Sequence, residues 1–98
     1  MNRVYISGPM TGHEDMNREA FEEAEKELHF DWAVDEIVNP AKFPFRDTAE
    51  YRNIINFCLS ALSQCDSIYM LKGWEKSTGA CIEYGYARAR GMDIRYER

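Results

Sequence analysis

The chain has 98 residues, 45% hydrophobic and 30% charged, an ordinary globular balance that excludes a disordered chain; no apolar run approaches the roughly 20 residues of a bilayer span. That length closes one modest core, near the size where subunit association is a common source of extra stability, so one domain over residues 1–98 and a homo-oligomer are expected. Twelve basic against 17 acidic residues, a formal net charge of -5, argue against a nucleic-acid polymer as the main partner.

The chain opens directly into "RVYISG", a strand with β-branched and aromatic residues from Val4 to Ile6 and a break at Gly8. This start lacks the basic segment, long apolar stretch and small-residue cleavage site of a signal peptide, and a cytoplasmic protein is expected. After the Gly-Pro turn and "MTGHED", Met16 to Leu28 reads as a helix with Met16, Ala20, Phe21, Ala24 and Leu28 on one face, capped by Asp15 or Asn17. "AVDEIV" is a weaker second strand, stopped by Asn39 and Pro40. "NPAKFPFRD" is an irregular aromatic loop, long enough to cover a site.

A second helix is predicted from Thr48 to about Ser63, its apolar side formed by Tyr51, Ile54, Ile55, Cys58, Leu59 and Leu62. "SIYML" suits a central strand covered on both faces. Ser77 starts the third helix, Gly91 ends it, and "MDIRY" forms the last strand. Alternating strands and helices predict a parallel sheet with helices on both faces, and such sheets bind ligands at the carboxyl ends of their strands. Three loops meet that edge: Gly8 to Asp15, Asn39 to Asp47 and Lys72 to Ser77. Cys58, Cys65 and Cys81 are not spaced as paired zinc ligands and read as buried free thiols; no metal or cofactor is implied.

The stretch "GWEKSTGACIEYGYARARG" carries the chemistry. Side chains on a helix lean toward its N-terminus, so Glu83 points over the turn of Gly79 and Ala80, whose small side chains leave room for a ligand. The free amides at the helix start, with the Ser77 hydroxyl as cap, favour an anion nearby. The alternative is an amphipathic helix whose small residues pack on the sheet and leave Glu83 exposed. Gly8 and Gly12 let the backbone approach a ligand, without the spacing of a dinucleotide or phosphate loop.

Together "VYISGPMTG", "VNP" and "CDSIYMLKGWEKSTGACIEYGYARARG" resemble the nucleoside 2-deoxyribosyltransferase-like family over nearly the whole chain, most closely its small bacterial and phage branch, related to deoxynucleoside 5'-monophosphate N-glycosidases. The resemblance implies an α/β three-layer sandwich of flavodoxin-like or Rossmann-like type with four or five parallel strands. It also implies cleavage or transfer of the N-glycosidic bond of a deoxynucleoside or its 5'-monophosphate. Glu83 takes the place of the family nucleophile and Tyr5 that of the tyrosine orienting it; Ser77 stands where the monophosphate hydrolases carry serine and the nucleoside transferases aspartate. Gly8, Pro9, Met10, Trp74, Ser77, Gly79 and Ala80 are the expected substrate contacts. Two positions depart from the pattern: Cys58 replaces an assisting aspartate, and Thr11 replaces an arginine of the hydrolases. They keep open a nucleotide-binding module without turnover. Trp32, Trp74 and the aromatics Phe43 to Phe45 suggest a third class, a partner-binding protein.

Overall fold

Strands whose side chains are apolar on both faces belong in the middle of a parallel sheet, and two segments of this chain have that character. A computed structural model describes residues 1–10, 13–31, 33–45 and 50–98, and it places both at the centre. They are β1 (Arg3–Ser7), buried from Val4 onward, and β3 (Ser67–Met70), buried throughout. The more exposed strands β2 (Glu36–Val38) and β4 (Asp93–Tyr96) take the edges, giving four strands in the order β2-β1-β3-β4. All pairings are parallel, with Tyr5 level with Val38 on one side and Ile68 on the other. This is the order of flavodoxin-like sheets, whose switch point lies between β1 and β3.

The period-2 alternation of β1 divides the core. Val4 and Ile6 pack against Phe21, Ala24 and Leu28 of helix α1 (Arg18–His29). Tyr5 packs on the opposite face with Cys58 and Leu62 of α2 (Tyr51–Leu62) and Ala80 and Ala87 of α3 (Thr78–Arg90). The result is the expected three-layer sandwich. Helix α3 is bounded as predicted: the Ser77 hydroxyl accepts the Ala80 N–H at 3.2 Å, and Gly91 closes the helix in the left-handed region at φ 73°.

Local differences from the sequence reading have physical causes. Helix α1 begins at Arg18 rather than Met16 because Asp15, Met16 and Asn17 all have positive φ. A left-handed backbone costs about 1–2 kcal/mol for a residue such as Met16. Neither Asp15 nor Asn17 caps the helix; Asn17 instead donates its side-chain amide to the Pro9 carbonyl at 2.9 Å, tying the helix entrance to the loop after β1. Ala33 and Val34 lie in a turn rather than in β2, their N–H groups donating to the carboxylate and carbonyl of Asp31, both at 2.9 Å. Cys58 and Cys65 are buried, but Cys81 is exposed on the outer side of α3. Thr11, Gly12, Trp32 and the expected helix start at Thr48 lie outside the described residues. No helix among the described residues is long and apolar enough to cross a membrane.

Gly8 holds the site end of the sheet together. A Cβ there would lie 2.7 Å from the Leu71 Cβ and 2.8 Å from its Cδ1, so only glycine lets the chain leave β1 this close to the segment after β3. Gly8→Ala is expected to destabilise the fold by about 1–3 kcal/mol, the usual range for overpacking. Thermal or urea unfolding checks this, and an unchanged midpoint would show that Leu71 yields freely.

Candidate functional site

The switch point opens into a cleft of about 280 Å3, close to the lower end of the roughly 300–1,000 Å3 of small-molecule pockets. One wall comes from Gly8, Met10 and Met16, a second from Tyr51, Ile54, Ile55 and Cys58 of α2, and the third from Lys76 through Ala80 with Glu83. A wider groove of about 530 Å3 lies between the end of α1 and β4, but its Arg95 guanidinium is already paired with Asp31. The smaller cleft contains the buried acid.

Glu83 reaches that cleft because it shares the sheet-facing stripe of α3 with Ala80 and Ala87. The two alanines bring the helix close to the sheet, so the glutamate is only 6% exposed, with its carboxylate between helix and strand. The Tyr5 hydroxyl donates to Oε2 at 2.6 Å and the Ser7 hydroxyl donates to Oε1 at 2.6 Å. Both donors are fully buried, two residues apart on β1, and therefore on one face of the strand. Close packing of α3 and the placing of Glu83 at the cleft are thus the same arrangement. The expected alternative, an exposed Glu83, does not hold.

Burial pushes the Glu83 carboxyl above its ordinary value, and the Ser7 and Tyr5 hydroxyls, which favour the charged form, offset part of that rise. Burial also raises Tyr5 well above the usual phenol value, helped by the nearby Glu83 and Cys58, so Tyr5 keeps its proton and remains a donor. The Cys58 thiol is pushed up to about 11 by burial and by Glu83, against the opposing effect of Tyr5. It is protonated and a poor base at neutral pH. Tyr51 is raised by partial burial and by the charge of Glu83. Glu83 is the sole carboxylate lining the cleft among the described residues.

Of the residues expected at the site, Glu83, Gly8, Met10, Ser77, Gly79 and Ala80 line one cleft, and Tyr5 lies directly beneath. Pro9 and Trp74 do not line it. Pro9 contributes its carbonyl to Asn17, whereas Trp74 stacks on Tyr84 with ring centroids 4.4 Å apart and tilts against Tyr96 at 6.5 Å. Ser77 spends its hydroxyl as the helix cap, leaving the Thr78 and Gly79 amides and Lys76 as the groups suited to an anion. Sequence reasoning missed Ser7 as a partner of Glu83, although its two-residue spacing from Tyr5 was a usable signal. Tyr51, on the apolar side of α2 by its spacing, also lines the cleft. Its hydroxyl lies 3.2 Å from where a Cβ on Gly79 would stand, so Gly79 makes room for a tyrosine at the mouth of the cleft.

The fold and the buried acid define an α/β domain with a cleft of small-molecule size at its switch point. Residues 2–96 match the family described as Domain of unknown function (DUF4406), and the chain belongs to that family. No curated protein gives a match. Among solved structures the chain is similar to the 2-desoxiribosyltransferase from Leishmania mexicana, with a TM-score of 0.68 and 26% sequence identity over 98% of this chain and 63% of that one. It spans just under two thirds of that protein's length.

The raised Glu83 carboxyl has a definite sign for stability. The folded state holds this proton more tightly than the unfolded chain, so the associated stability is present below the ordinary carboxylate value and is lost as pH rises through the folded value. Glu83→Gln, which cannot ionise, is expected to be more stable than the native chain at pH 8 by about 1 kcal/mol, the scale of functional-site trade-offs. The advantage should shrink as pH falls through that window. Melting curves of both proteins from pH 4 to 8 check this; a variant less stable at every pH would contradict it.

Proposed function

We propose that the protein breaks or exchanges the N-glycosidic bond of a deoxynucleoside or deoxynucleoside 5'-monophosphate, with Glu83 as nucleophile. The observation that carries this reading is the buried Glu83 carboxylate, held by hydroxyl donors beneath a cleft of small-ligand size. The likeness to a 2-desoxiribosyltransferase supports the same class of chemistry.

In the proposed reaction a carboxylate oxygen of Glu83 attacks C1' of the sugar. The C1'–N bond breaks through an oxocarbenium-like transition state, its electron pair leaves with the base, and the base nitrogen takes up a proton. The sugar is held as a glycosyl ester. Water, or the nitrogen of a second base, then attacks C1' and gives up a proton to solvent, balancing the proton the leaving base took from solvent, and cleavage of the ester bond restores the carboxylate. Tyr5, whose raised value keeps it protonated, holds the carboxylate in place. The Thr78 and Gly79 amides with Lys76 suit a 5'-phosphate, while Met10, Met16, Ile54 and Ile55 offer apolar surface to a base.

A second reading is favoured by Cys58, which faces Tyr5 where an assisting carboxylate is expected: a nucleotide-binding module without turnover. Chromatography of free base released from the deoxynucleosides and their monophosphates separates the two. Release that disappears in Glu83→Ala and falls by about 10- to 100-fold in Tyr5→Phe supports the enzyme, because removing one hydrogen bond to a charged group carries that scale. Exchange onto an added second base distinguishes transfer from hydrolysis. Binding of a nucleotide by calorimetry, with no release from any substrate, would replace the enzyme by the module. The small domain is also proposed to work as a homo-oligomer; sedimentation at micromolar concentration should give at least a dimer, and a monomer would refute it.

A further inference from the structure

We propose that Ser7 is a positioning residue that fixes the plane of the Glu83 carboxylate for attack on the sugar, an inference that rests on Glu83 acting as the nucleophile. The terminal torsion of a glutamate is broad and roughly two-fold, so one donor leaves the carboxylate free to pivot about that single hydrogen bond. Here each oxygen has its own short bond, Oε2 from Tyr5 and Oε1 from Ser7, both at 2.6 Å. The two donors stand on a central strand paired on both sides and have no exposure, so neither can move without disturbing the sheet. Ser7 ends β1, at the edge where the cleft opens, and Gly8, the next residue, lines it. Tyr5 sits one pleat deeper, facing Cys58.

The hydroxyl of Ser7 also bears on the charge of its partner. A donor to the ionised carboxylate favours the form that attacks, and Ser7 opposes the effect of burial on Glu83. Among the described residues, the other titratable or charged groups facing this region are Tyr5 of β1, Cys58 and Tyr51 of α2, and Lys76 before α3. Tyr5 and Cys58 are both raised and remain neutral near pH 7, so they do not replace the contribution of Ser7.

The test compares the native chain with Ser7→Ala and Ser7→Cys, the latter keeping a side chain of similar shape but a weaker donor. In Ser7→Ala, kcat for base release should fall about tenfold with KM little changed, and the acidic limb of the pH–rate profile should move to higher pH. Ser7→Cys should lie between. A carbon-13 NMR titration of the Glu83 carboxyl, which needs no turnover, should show its midpoint moving upward in Ser7→Ala. An active Ser7→Ala protein with native kcat, native pH profile and an unmoved midpoint overturns the role of Ser7 while leaving Glu83 as nucleophile. If no substrate releases base from the native chain, the reaction itself is lost, and the role of Ser7 in it falls whatever the titration shows.

Discussion

The structure turns on one buried carboxylate gripped by two hydroxyls from a single strand. An ionised group placed against a sheet with little exposure is costly to desolvate, and it persists where the surroundings supply hydrogen bonds that favour its charge. Tyr5 and Ser7 supply them from one face of β1, while Ala80 and Ala87 let α3 approach closely enough for Glu83 to reach both. Gly8 then allows β1 to end against Leu71 and itself lines the cleft that contains the acid. Strand, helix and loop are each shaped around the same few atoms.

This arrangement also limits the chemistry. Many glycosidic enzymes divide their work between two carboxyl groups, one attacking and one protonating the leaving group. Among the described residues, this cleft contains only Glu83, and the nearby thiol of Cys58 holds its proton at neutral pH. The proposed reaction therefore assigns Glu83 the attack and gives it neutral hydroxyl partners, Tyr5 and Ser7, in place of a second carboxyl group. Burial that raises Glu83 sets a trade-off for the proposed reaction: the charged form that attack would need is the form that burial disfavours.

Much of this was legible in the residues because it follows from short-range rules. The unbroken apolar run of β3 announced a central strand, the β-branched and aromatic residues of β1 announced a strand, and Ser77 and Gly91 marked both ends of α3. Glu83, Gly79 and Ala80 could be placed together from helical periodicity, but whether the acid faced water or the sheet depended on where β1 lay, which is a tertiary fact. The spacing of Ser7 from Tyr5 puts both on one face of β1, but that Glu83 is their shared partner depends on the same tertiary placement. Trp74 follows the left-handed turn at Gly73 and stacks on Tyr84 outside the cleft lining, a tertiary contact that periodicity does not reveal. The three positive-φ residues before α1 gave no periodic signal, although they place Met16 in the cleft wall.

The proposed reaction requires a covalent bond between Glu83 and the sugar. Intact-protein mass spectrometry of samples quenched in acid during turnover of a deoxynucleoside 5'-monophosphate would detect it. The expected result is a fraction of the protein heavier by one deoxyribosyl phosphate group, the added mass mapping to the peptide containing Glu83 and missing in Glu83→Gln. An adduct on another residue, or turnover that continues in Glu83→Gln, would contradict the account.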